Sequence, residues 1–150
     1  MKRIIVYGLL LVGVLLAPVE KLDVAKLRPI EVIYIAQEKE TVILQTDTDD
    51  VGMGNDALSA LENMKKTSPA VIYLDTAQYL LIGPDGEEAA QQLQQVLKDN
   101  IRLCKTQEQV DLKSVAKYLP VHGELPKFSQ WKSGEKMPEL RLENDRLKIS

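Results

Sequence analysis

Four carboxylates and two glycines crowd the stretch TDTDDVGMGND, Thr46 to Asp56. Two chemistries could use them. Carboxylate oxygens at Asp47, Asp49, Asp50 and Asp56 could hold a hard cation. Alternatively, Gly52-x-Gly54-x-x-Ala57, between a strand and a helix, could cradle a pyrophosphate, with Asp75 placed further on for a ribose. The phosphate reading needs positive potential at the helix N-terminus. Here four carboxylates would repel two phosphates more than a helix dipole of about half a charge attracts them. The preceding strand also belongs to a hairpin rather than to a βαβ unit. The calcium reading fails at two ligand positions. Val51 has no side-chain oxygen, and Leu58 stands where a bidentate Glu closes an EF-hand loop. An irregular calcium site on Asp47, Asp49, Asp50 and Asp56 is the metal reading that survives. The ordinary reading is a capped turn: acids bond turn amides, glycines permit positive φ, and carboxylates favour the helix N-terminus.

Cys104 and His122 are the sole thiol and imidazole. A nucleophilic pair would need both at one pocket, but Cys104 sits within an apolar strand pattern and His122 in the loop LPVHGELP. Their spacing suggests no metal site. In KFSQWKSGEK, Phe128, Trp131 and Lys132 combine aromatics with cations, which suits docking on a partner or on anionic lipid headgroups, or else, as the favoured reading, a tail stapled to the core. No catalytic constellation and no cofactor site stands out, so a non-enzymatic role is expected.

The elements that must position these residues begin with MKRIIVYGLLLVGVLLAPVEKLD. Lys2 and Arg3 precede an uncharged run from Ile4 to Val19. At ~1.5 Å per residue the run spans roughly 24 Å, short of a ~30 Å hydrocarbon core. It suits a signal-peptide core or a short anchor with snorkelling cations. Ala17 is the only small residue near the end of the run, and Pro18 follows it, a poor cleavage site; no Cys follows for lipidation. An uncleaved single-pass anchor is the favoured reading, with residues 4–19 in the membrane, the N-terminus cytoplasmic and the rest extracytoplasmic; secretion is the alternative. Residues 20–29 read as a juxtamembrane connector.

Residues 30–120 read as one α+β domain. Ile30–Gln37 and Thr41–Asp47 form a hairpin over EKE. Asn55 or Asp56 caps a helix to about Lys66. Ala70–Asp75, nearly all apolar, reads as a central strand. Tyr79–Gly83 is another strand, Glu87–Asp99 a helix with Ala90, Leu93, Val96 and Leu97 inward, and Ile101–Lys105 a short strand. Asp111 caps a helix that stops before Pro120. The expected architecture is a small mixed sheet packed with two or three helices, preceded by a hydrophobic helix. Residues 121–150 are Pro/Gly-punctuated, with a possible hairpin over Asn144-Asp145.

The 150 residues carry a net charge of -3, which gives no sign of a nucleic-acid partner. Residues 1–97 hold 8 Lys+Arg against 14 Asp+Glu, and residues 98–150 hold 11 against 8. A lone cysteine forms no intramolecular disulfide and does not fix the compartment.

LDVAKLRPIEVIYIA, GNDALSAL and AVIYLDTAQYLLIG together resemble the N-terminal domain of spore-germination lipoproteins, the C subunits of germinant receptors. The likeness spans Asp23 to Gly83. It implies a Gram-positive spore-former and a role in assembly or scaffolding, and brings no catalytic residues. Two departures stand out: the family's lipidated Cys and its large C-terminal region have no counterpart here. These readings converge on a membrane-anchored module that binds a protein partner, with no small-molecule substrate indicated. The competing expectation is a secreted metal-binding protein or hydrolase using residues 47–56.

Overall fold

The computed structural model describes residues 27–122 and 124–150. The expected N-terminal anchor and most of the connector lie outside them. Among the described residues no helix is long and apolar enough to cross a membrane.

The fold is α+β. It contains β1 (Leu27–Pro29), β2 (Val32–Glu38), β3 (Thr41–Thr46), β4 (Val51–Gly54), α1 (Ala57–Thr67), β5 (Val71–Tyr73), β6 (Tyr79–Ile82), α2 (Glu87–Gln92), β7 (Arg102–Lys105), α3 (Leu112–His122), β8 (Leu140–Glu143) and β9 (Arg146–Ile149). A five-stranded mixed sheet runs in the order β4-β3-β2-β6-β7. β4, β3 and β2 form an antiparallel meander, while β2, β6 and β7 are parallel.

Strand alternation sorts the core into two layers. Ile33, Ile35, Val42, Leu44, Leu80, Ile82 and Leu103 face α1 and α2. Val32, Tyr79, Leu81 and Cys104 face α3 and the C-terminal hairpin. The β2–β3 hairpin turns at Lys39, φ 54°, and the β8–β9 hairpin turns over Asn144 and Asp145, φ 51° and 60°. Positive φ at both central residues matches the right-handed twist of the strands.

Four local expectations are corrected. Val51–Gly54 is a strand, not part of a turn. Ala70–Asp75 is not a central strand: β5 pairs only with β1, outside the main sheet, and Leu74–Thr76 is a 3₁₀ turn. The place beside β2 belongs to β6, whose four residues are all buried, whereas Val71 and Tyr73 are exposed. The helix from Glu87 ends at Gln92 and tightens into a 3₁₀ turn over Leu93–Gln95. That keeps Leu93 and Leu97 inward and turns Val96 out. Finally, α3 runs through Pro120 to His122. Proline removes one backbone donor there, and the last turn is held by Tyr118 stacked on His122 at 4.5 Å.

Both edges of the five-stranded sheet are covered. On β4 the outward Met53 N–H donates to Asn63 Oδ1 (3.1 Å), and Thr67 Oγ1 donates to the Val51 carbonyl. Along β7, Leu103 N–H donates to the Pro126 carbonyl and Lys105 N–H to that of Pro138. Unpaired edges invite strand addition, and α1 and the C-terminal segment close these two.

Candidate functional site

The carboxylates of the acidic loop do not converge. Asp47 Oδ1 accepts from the backbone N–H groups of Glu31 and Val32, at 3.0 and 3.2 Å, pinning the loop to the start of β2. Asp49, at φ 66°, pairs with Lys113 of α3 at 2.5 Å. Asp50 is buried and accepts from Thr48 Oγ1 (2.6 Å) and Ser68 Oγ (2.5 Å), tying the turn to the end of α1. Asp56 caps α1, accepting from Ser59 N–H at 2.7 Å. Each acid is therefore engaged in a different direction. No group of three His, Cys, Asp or Glu side chains suited to a metal ion occurs among the described residues.

The glycines also do something other than expected. Positive φ among the described glycines occurs only at Gly134. Gly52 and Gly54 lie two apart on β4 and face α1, as Leu44 and Val42 opposite them do. A Cβ on Gly52 would lie 2.1 Å from the Ala60 carbonyl oxygen, and one on Gly54 would lie 2.5 Å from Ala60 N. The G-x-G pair is thus the seat of a helix, not a phosphate cradle. Ala57 and Ala60, both fully buried, complete the close approach.

Hydrogen bonding from the backbone N–H of Ser59, then from its side chain, holds the Asp56 carboxyl below the usual carboxylate range. A depressed folded-state pKa contributes stability above the unfolded value and loses it as pH falls through the folded one. Acid titration of Tm for Asp56→Ala is expected to start lower at neutral pH and to approach the parent curve as pH drops.

Cys104 is fully buried, and burial pushes its thiol up to about 12. The thiolate is the reactive form. His122 is exposed at the end of α3 against Tyr118, on the wall of a groove that Cys104 does not line. The two do not form a nucleophilic pair. Iodoacetamide should leave Cys104 unmodified in the folded protein and alkylate it fully in denaturant, as read by intact mass; rapid labelling of the native protein would contradict this burial.

Phe128 and Trp131, which the sequence offers as a partner contact or as a staple to the core, are both buried. They are 1% and 6% exposed, with ring centroids 6.3 Å apart, inside the same core as α1 and α2. Phe128 N–H donates to the Ile101 carbonyl at 2.7 Å. Trp131 Nε1 has no hydrogen-bond partner among the described residues. Of the three residues, Lys132 alone lies on the surface.

The exposed apolar surface lies elsewhere. On its side of the sheet α3 packs against Val32, Tyr79, Leu81 and Cys104 of β2, β6 and β7. Toward the other edge of that side, Tyr34 stands beside Gln45 and Ala36 beside Ile43, and Gln45 and Ile43 in turn oppose Val51 and Met53. Val51 and Met53 are 41% and 53% exposed. A groove of about 270 Å³ runs between this face and the 107–112 loop, lined in part by Tyr34, Ile43, Val110 and Leu112. The chain matches no protein-family model, no curated protein and no solved structure. The signal for Val51 and Met53 was present in the sequence: V-G-M-G alternates large apolar residues with glycine at strand period.

Proposed function

We propose that this chain is a membrane-anchored extracytoplasmic module that acts by binding a protein partner. The location rests on Lys2 and Arg3 followed by the uncharged run Ile4–Val19. The binding role is supported by one observation of the fold: Val51 and Met53, two large apolar side chains on one face of the outermost strand, are both exposed. Exposed apolar side chains grouped on one face are a common feature of interaction sites. A role in sporulation or germination follows from the partial likeness to spore-germination lipoproteins and belongs to this proposal.

Cell fractionation of the full chain, followed by external protease treatment, tests the location. The expected result is a membrane-bound protein digested from outside. Full recovery in the soluble cytosolic fraction ends the proposal. For the surface, Val51→Asp/Met53→Asp should abolish in-cell crosslinks to the partner with little change in Tm, because both positions are exposed.

A further inference from the structure

At the opposite end of the parallel strands, two cations face each other. Arg102 opens β7 and is paired with Lys127 in an isolated antiparallel bridge. Like charges directly opposite on neighbouring strands destabilise the pair. The ion pairs of the described residues are Lys66–Glu62, Lys113–Asp49, Arg141–Glu139 and Lys148–Glu143, and they include neither residue.

A third cation, Lys98, lines the same open cavity of about 550 Å³, together with Gln78, Asn100, Thr76 and Tyr79. The cavity's one lining carboxylate is Asp75, which lies against the Tyr73 hydroxyl. Glu31 acts on the Tyr79 phenol only through space and does not line the cavity. Three cations against one carboxylate is a local excess in a chain of net charge -3.

The donor set fits one ligand chemistry. Arg102 Nη1 donates to the Leu125 carbonyl at 2.7 Å, which fixes the guanidinium in place. Its other N–H groups can still bond a tetrahedral oxyanion in a two-pronged manner. Lys98 and Lys127 add point charges, and the amides of Asn100 and Gln78 add neutral donors. Bound anion would relieve the Arg102–Lys127 opposition. The cavity also sits where the chain enters the fold. Ile30 N–H donates to Thr76 Oγ1 and Gln78 N–H to the Glu31 carbonyl, so β1 and the cavity share one end of the molecule.

We propose that this cavity binds a phosphate group, carried by a small soluble ester or by an anionic lipid headgroup. The lipid source rests on the anchored reading above, whereas the soluble source does not.

The test uses the full-length protein in nonionic detergent, with melting followed by Trp131 fluorescence. Probes are inorganic phosphate, glycerol phosphate, and nanodiscs of phosphatidylcholine with or without phosphatidylglycerol. A ligand at about one hundred times its Kd should raise Tm by several degrees. That shift should vanish in Arg102→Gln and Lys127→Gln, be reduced in Arg102→Lys, and persist in Lys132→Gln. A shift with soluble phosphates assigns the soluble source; a shift only with phosphatidylglycerol assigns the headgroup. Lys127→Gln without ligand should melt above the parent, because it removes the like-charge opposition. The proposal is overturned if no probe shifts Tm, if sodium chloride at equal ionic strength reproduces the shift, if Arg102→Gln keeps it, or if ligand-free Lys127→Gln gains nothing.

Discussion

Gly52→Ala is expected to be among the most destabilising single changes in this protein, although it adds only one methyl group. The new Cβ would lie 2.1 Å from the Ala60 carbonyl oxygen, 2.6 Å from Met64 Cβ and 2.8 Å from Met64 N. Two of those three atoms are helix backbone, which cannot rotate away as a flexible side chain could. Relief requires α1 to lift off β4, and that movement disturbs Ala57, Ala60, Leu61 and Met64 together. It also strains the Asn63 and Thr67 bonds that cover the edge of β4. Overpacking typically costs ~1–3 kcal/mol, and a backbone obstacle places this case at or above the upper end. Against a total stability of ~5–15 kcal/mol, that is a large fraction. Urea denaturation measures it. Met53→Ala, on the same strand but facing solvent, should stay within about 0.5 kcal/mol of the parent. Similar losses for the two variants would refute the helix-seat role of Gly52.

Phe128→Ala is the second large effect, expected at ~3–5 kcal/mol. The ring is 1% exposed and packs in the α1/α2 layer of the core with Trp131. Lys132→Ala, one residue beyond Trp131 and on the surface, should change stability by less than about 0.5 kcal/mol. The contrast separates a core segment from a tail that merely lies on the surface. A Phe128→Ala protein with unchanged urea midpoint would mean that residues 121–150 do not belong to the core.

Much of the fold was legible in local pattern. β-branched alternation marked β2 and β3, and Asn144-Asp145 between apolar strands marked the last hairpin. Asp56 and Asp111, each placed before a helical period, marked two caps; the Ser114 N–H donates to Asp111 as a cap requires. What misled was local chemistry with a non-local cause. The apolar run at Ala70–Asp75 had the composition of a central strand, but which strand lies beside β2 is decided by competition, and β6 buries all four of its residues there. The glycines beside the acids looked like turn residues because nothing in the stretch itself reveals the helix that later packs on them.

The candidate sites divide the same way. The acids were visible, but their directions depend on Glu31, Val32, Ser68 and Lys113, which are far from most of them in sequence. The Arg102–Lys127 opposition spans twenty-five positions and has no local signature. The burial of Phe128 and Trp131 was the favoured of two readings of an aromatic pair three residues apart, a staple to the core over a docking patch.

The placement of the C-terminal segment has a consequence for how the chain is made. Phe128, Trp131 and Met137 fill one layer of the core, while Leu125 and Leu140 fill the other. Synthesis runs from the N-terminus, so neither layer can be completed until residues 125–140 have left the ribosome. A nascent chain that stops short of Leu125 therefore exposes unfilled apolar positions on both faces of its sheet.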